Sequence, residues 1–159
     1  AVLWAVENGV TNGTSAATFG PNMAVSRAQM VTFLWRAAGS PEPQSSVNPF
    51  TDVSSSAYYY DAVLWAVENG ITNGTSATTF SPESAVSRAQ AVTFLWRSAS
   101  SPVVSGGSFA DVADDAYYAQ AVTWAAQEGI TSGTGGNNFS PDQIVSRAQA
   151  VTFLYRQHG

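Results

Sequence analysis

The chain has 159 residues, enough for a substantial core, with 45% hydrophobic content but only 11% charged residues. Its six basic residues are all arginine and its net charge is −5, which excludes a general affinity for nucleic acid. It has no cysteine, so disulfides and thiolate metal sites are excluded as well.

The first nine residues, Ala1 to Gly9, recur unchanged at Ala62 to Gly70. Between Ala1–Ser40 and Ala62–Ser101, 32 of 40 positions are identical. The tetrapeptide Ser-Arg-Ala-Gln, each time ahead of Val-Thr-Phe-Leu, begins at Ser26, Ser87 and Ser146. The period of about 60 residues marks an array of units that cannot bury their apolar faces alone. The units are residues 1–40, 50–101 and 109–159, joined by linkers 41–49 and 102–108. The first unit starts in mid-repeat, without the stretch that precedes Ala62, so any targeting segment is expected upstream of Ala1. Low charge, plentiful Ser, Thr, Asn and Gly, and no Cys point to a secreted bacterial protein.

Each full unit reads in four pieces. A lead-in comes first, Phe50-Thr51-Asp52-Val53 and Phe109-Ala110-Asp111-Val112. A helix follows, roughly Tyr58 to Asn69, with Ala62, Val63, Ala66 and Val67 at the 3.6-residue period. Gly9, Gly70 and Gly129 stop these helices. Next is a loop, Ile71 to Pro82, whose Asn-Gly and Ser-Pro pairs are turn signals. The same reading makes Asn12-Gly13-Thr14 and Asn73-Gly74-Thr75 turns rather than glycosylation acceptors. The second helix runs from Ser87 to about Ala99, with Ser87 as N-cap and Gln90 three residues on, the capping-box pattern. Its apolar stripe is Val92, Leu95, Trp96 and Ala99. The fold class is all-α: helix, loop, helix, three times. The tryptophans at helical spacing are core.

The two arginines of each unit differ. Arg36, Arg97 and Arg156 lie in the last turn of the second helix, where a cation complements the helix dipole. Arg27, Arg88 and Arg147 are first helical residues, where a cation is disfavoured by about 0.3–1 kcal/mol. The following positions offer no acid, only Gln29, Gln90 and Gln149. Free backbone N–H groups plus a guanidinium are expected to form an anion site for a carboxylate or phosphate. The alternative is a salt bridge to Asp52, Asp111, Glu68 or Glu128.

In these motifs the chain resembles the S-layer homology domain family. That family has an F-x-D-V lead-in, an aromatic-containing helix, a G-I-x-x-G loop with F-x-P, and a second helix opening with T-R-A-E. The matching residues are Phe50, Asp52 and Val53; Phe109, Asp111 and Val112; Gly70, Ile71 and Gly74; Gly129, Ile130 and Gly133. Phe19, Phe80 and Phe139 stand two residues before Pro21, Pro82 and Pro141. The resemblance implies a pseudo-threefold arrangement of the repeats around a central helical bundle. It implies non-covalent attachment of an exported protein to the bacterial cell wall. The implied partner is a secondary cell-wall polysaccharide, often pyruvylated, bound in grooves between units. The implied ligand residues are Arg27, Arg88 and Arg147, with Gly13, Gly74 and Gly133 in the loops and Asp52 and Asp111 in the lead-ins. Tyr58 and Tyr117 take the place of the family's tryptophan and still permit sugar stacking.

Gln replaces Glu in all three motifs, which makes the local site more positive. Unit one lacks its lead-in, so at most two intact grooves are expected, and Arg88 and Arg147 belong to complete units whereas Arg27 does not. An alternative expectation is a structural one: the units build a surface polymer, another copy of the chain donating the missing lead-in. Neither catalysis, a metal, a cofactor nor membrane insertion is expected. The single histidine, His158, has no Ser-His-Asp setting, and Asp114 and Asp115 do not form a calcium loop.

Overall fold

The structure, a computed structural model, describes residues 1–107 and 109–159. Ser108, the last residue of the second linker, lies outside them. The described residues form six helices: α1 (Val2–Glu7), α2 (Arg27–Ala37), α3 (Tyr60–Glu68), α4 (Arg88–Ser98), α5 (Ala119–Gln127) and α6 (Arg147–His158). The first helices end as expected. Asn8, Asn69 and Glu128 are C-caps, and the glycine after each adopts a left-handed φ of 69–71° that an L side chain resists. The second helices begin with complete capping boxes. Ser26, Ser87 and Ser146 accept from the backbone of Gln29, Gln90 and Gln149, whose side chains bond back to the serine N–H.

The two helices of a unit do not pack on one another. Instead, α2 packs on α3, α4 on α5, and α6 on α1, so each second helix lies against the first helix of the next unit. The second helices α2, α4 and α6 also meet each other pairwise. Just before them the chain is extended, and three fully buried valines form a closed ring. Val86 N–H donates to the Val25 carbonyl at 3.1 Å, Val145 to Val86 at 2.9 Å, and Val25 to Val145 at 3.0 Å. Isolated bridges between the flanking residues, such as Ser26 with Ala85, accompany this ring, and the described residues form no sheet.

The loops are not mere connectors. Ile71, Phe80, Ile130 and Phe139 are among the largest fully buried side chains, and Phe50 and Phe109 pack on Phe80 and Phe139 at 5.7 Å. The tryptophans partly line this core and anchor the linkers: Trp35 Nε1 donates to the Pro41 carbonyl and Trp96 Nε1 to that of Pro102. Ala99, placed on the apolar stripe by its spacing, is exposed, because the helix has already ended at Ser98.

Phe80→Ala is expected to cost about 3–5 kcal/mol and Ser87→Ala about 1 kcal/mol, measured by urea unfolding. A loss below 1 kcal/mol for Phe80→Ala would remove the loop from the core.

Candidate functional site

The capping boxes set Arg27, Arg88 and Arg147 at the first helical position, and each is then driven into the following unit. Their exposures are only 5%, 4% and 3%. Arg27 Nε donates to the Phe80 carbonyl at 2.8 Å and its Nη2 to Thr72 Oγ1 at 3.4 Å. Arg88 does the same with Phe139 (2.7 Å) and Thr131 (3.1 Å). Arg147 closes the cycle on unit one, with Phe19 (2.9 Å) and Thr11 (3.4 Å). Each guanidinium also lies over two rings: Arg27 is 4.9 Å from Phe80 and 5.3 Å from Phe94. Burial pushes the pKa of all three arginines down from the usual value.

Two expectations are corrected. The helix N-termini do not offer free N–H groups. Arg27 and Ala28 N–H donate to the carbonyls of Ser84 and Pro82, and the equivalent pairs bond Gln143 with Pro141 and Met23 with Pro21. A turn of the next unit, closed by Ser84 N–H on the Ser81 carbonyl in unit two, caps each helix end and takes its donors. Nor does a carboxylate pair with the buried arginines among the described residues. Asp52 instead accepts from Phe80 N–H and Ser81 N–H, both at 2.8 Å, and Asp111 from Phe139 and Ser140. The aspartate thus holds the far side of the peptide segment whose carbonyl holds the arginine. Glu68 accepts from the linker N–H groups of Gln44 and Ser45.

The arginine does face a groove. Its Nη1 has no protein acceptor, and among the described residues the sole buried side-chain N or O atom lacking a partner is Gln157 Oε1. The Nη1 groups are therefore open to solvent. Arg27 lines a groove of about 320 Å³ with Thr72, Gly74, Gln90, Arg97 and Tyr117. Arg147 lines one of about 380 Å³ with Thr11, Gly13, Gln29, Arg36 and Tyr58. Arg88 lines a third of about 310 Å³ with Thr131, Gly133, Gln149 and Arg156. No carboxylate lines any of the three.

The grooves are shared in an order that the unit boundaries do not suggest. Arg27 belongs to unit one, but its groove takes loop and helix from unit two and Tyr117 from unit three. Arg27 and Arg147, not Arg88, share their grooves with a tyrosine. Tyr58 and Tyr117 are 61% and 62% exposed, each edge-on to the next tyrosine at 5.0 Å. Burial raises the Tyr117 phenol, and the charges of Arg97 and Arg27 offset part of that rise. Asp52 and Asp111 stand outside the groove linings. The loop glycines are built in: Gly74 has φ of 87°, and a Cβ there would meet the Thr79 carbonyl oxygen and the Phe50 ring.

Spacing alone missed three groups: the buried threonines Thr11, Thr72 and Thr131, the groove role of the capping glutamines, and the second arginines. Their one sequence signal is recurrence at the same place in every copy.

The family model for the S-layer homology domain matches residues 1–31, 49–92 and 108–151. The chain is 31% identical over 121 residues to a cell surface protein of Thermoanaerobacter kivui, covering 72% of this chain and 16% of that protein. It is 30% identical over 122 residues to an endoglucanase of Bacillus sp. (strain KSM-635), covering 76% and 13%. It is 28% identical over 110 residues to the surface-layer 125 kDa protein of Lysinibacillus sphaericus, covering 69% and 9%. The chain thus spans under a fifth of the length of each of these relatives.

Burial alone would raise the Asp52 and Asp111 carboxyls, but two backbone N–H donors each, with the nearby arginine charge, hold them below the usual carboxylate range. A depressed folded pKa adds stability above the unfolded value of about 3.9, and that gain is lost as pH falls through the folded value. Asp52→Asn/Asp111→Asn is therefore expected to melt earlier than the unsubstituted chain at pH 7, the gap narrowing as pH falls below the unfolded value and closing through the folded one. Thermal unfolding across pH 2–7 checks this, and a gap independent of pH would refute it.

Proposed function

The chain belongs to the S-layer homology domain family, and on that premise we propose that it is a wall-anchoring module, attaching an exported protein non-covalently to an anionic, pyruvylated secondary cell-wall polysaccharide. A cell-wall or cell-surface location goes with the family. We read units 1–40, 50–101 and 109–159 as one pseudo-threefold domain around α2, α4 and α6. The cyclic packing of each second helix on the next unit supports that reading.

One observation carries the ligand proposal: a guanidinium at least 95% buried, with one free Nη1 edge turned into each groove and no carboxylate beside it. Such a group is fixed before the ligand arrives, so little ordering entropy opposes binding. Arg27, Arg88 and Arg147 would face the carboxylate of the glycan. Tyr58 and Tyr117 would stack on a sugar face in two grooves. Gly13, Gly74 and Gly133 keep the groove floor free of side chains. Asp52 and Asp111 serve as positioning residues. An acidic protein gains nothing from long-range attraction to an acidic polymer, so affinity rests on these contacts. Several grooves on one repetitive polymer would add avidity of about 10²–10⁴. The module itself is read as non-catalytic; the endoglucanase match covers only 13% of that enzyme.

A second reading is self-association into a surface polymer, in line with the surface-layer name of one relative. Concentration-dependent mass growth in light scattering is its expected sign; a monodisperse monomer at high concentration counts against it.

The anchoring reading is tested by retention on purified wall sacculi, intact and stripped of polysaccharide. The chain is expected on intact walls alone, and Tyr58→Ala/Tyr117→Ala, which removes two exposed side chains, is expected to weaken retention about tenfold while its circular dichroism stays native. Equal retention on stripped walls sinks the proposal.

A further inference from the structure

Each groove contains a second cation that helix electrostatics does not account for. We propose that Arg36, Arg97 and Arg156 are ligand residues, so that each groove grips an acidic sugar between two guanidinium groups supplied by different units. This rests on the polysaccharide reading above and deepens it.

A cation that merely complements its own helix would lie over the last carbonyls of that helix. These three instead reach a carbonyl 26 residues earlier in the chain. Arg36 Nη1 donates to Val10 O at 3.4 Å, Arg97 to Ile71 O at 3.2 Å and Arg156 to Ile130 O at 2.9 Å. The next residue in each case is the threonine that holds the buried arginine of the preceding unit. Ile71 and Thr72, two consecutive residues, thus position Arg97 and Arg27. Val10 and Thr11 do so for Arg36 and Arg147, and Ile130 and Thr131 for Arg156 and Arg88.

Two like charges are therefore held at one dipeptide, facing one groove, three times over. Neither has a counter-charge in the groove, because the linings contain no carboxylate. One further lining residue, Gln90, adds donors. The capping box uses Gln90 Oε1 as acceptor for Ser87 N–H, which leaves the Nε2 donors without a protein partner. Arg27 Nη1, Arg97 Nε and Nη2, and Gln90 Nε2 form a cradle without an ionised acceptor, suited to an oxyanion. A glutamate at position 90 would add a negative charge there. The chemistry shared by the candidate ligands is an acidic saccharide bearing a carboxylate or a phosphate.

The test has two arms. In the first, the ¹H–¹⁵N side-chain resonances of the unsubstituted chain are followed during separate titrations with sodium pyruvate and with inorganic phosphate. Arg97, Arg27 and Gln90 are expected to shift together with one apparent affinity, and the probe with the larger shifts identifies the anionic group. In the second, Arg97→Gln and Arg97→Lys are compared on intact wall sacculi. Arg97→Gln is expected to lose at least about tenfold in retention and Arg97→Lys less. If sacculi retain the unsubstituted chain, Tyr58→Ala/Tyr117→Ala weakens it, and Arg97→Gln binds as before with still Arg97 resonances, the inference falls and the anchoring reading survives. If sacculi do not retain the chain yet Arg27 and Arg97 shift together, the polysaccharide reading falls and the two-arginine anion site stands. If neither arginine responds to either probe and Arg97→Gln matches the unsubstituted chain, the inference is overturned. The titration needs no variant, so misfolding of Arg97→Gln leaves it decisive.

Discussion

The structure depends on one hydrogen bond made three times: an arginine Nε at the start of a second helix, donating to the phenylalanine carbonyl of the next unit's loop. Burying a guanidinium without compensation is costly. Here the compensation comes from that carbonyl, a threonine hydroxyl and two aromatic faces rather than from a counter-charge. A hydrogen bond from a charged group contributes about 1.5–3 kcal/mol and a desolvated cation–π contact up to about 2 kcal/mol. Either exceeds the cost of about 0.3–1 kcal/mol for a cation at the positive end of a helix. The electrostatic oddity visible in Ser-Arg-Ala-Gln is thus outweighed within the protein. What survives for a ligand is the one guanidinium edge that the protein leaves free.

Most of the local structure was legible in the sequence. Periodicity located the helices, Ser87 with Gln90 announced the capping box, and Gly70 marked a stop, because each signal acts within a turn or two of chain. What spacing could not reveal is the hand-over between units. Arg27 meets Phe80 across 53 residues and Arg147 meets Phe19 across 128. Nothing in the motif says whether an arginine serves its own unit's groove or the next one's. The unit boundaries suggested that Arg27, in the shortest unit, was the least complete of the three. The hand-over gives it a groove made from units two and three, with Tyr117 at its edge. The free helix N–H groups failed for the same reason: their acceptors, Ser84 and Pro82, lie in the neighbouring unit.

The loop residues divide their work in a way that sets where substitution is tolerated. Gly74 is fixed by its backbone angle and by Phe50 behind it, and Thr72 by accepting from both Gly74 N–H and Arg27. Both belong to the scaffold first and line the groove second. Tyr117 is the reverse, exposed and without a hydrogen bond that the fold needs. The grooves should therefore differ in grip through residues such as tyrosine while sharing an invariant arginine floor. Such a mixture suits a polymer, where several sites of unequal strength act on one chain.

The cycle also changes what kind of repeat protein this is. In an open solenoid each repeat touches only its neighbours, and an end repeat can fray alone. Here Val25, Val86 and Val145 close a ring of backbone hydrogen bonds, and Arg147 returns to the loop of unit one. Removing any unit would strand one buried arginine without its carbonyl and leave one helix N-terminus without its acceptors. The stability of each unit is then conditional on the other two, so unfolding of all three together is the expected behaviour rather than unfolding unit by unit. The same closure keeps all three grooves in fixed relation, so that on the proposed reading a polymer held in one of them would find the others already set.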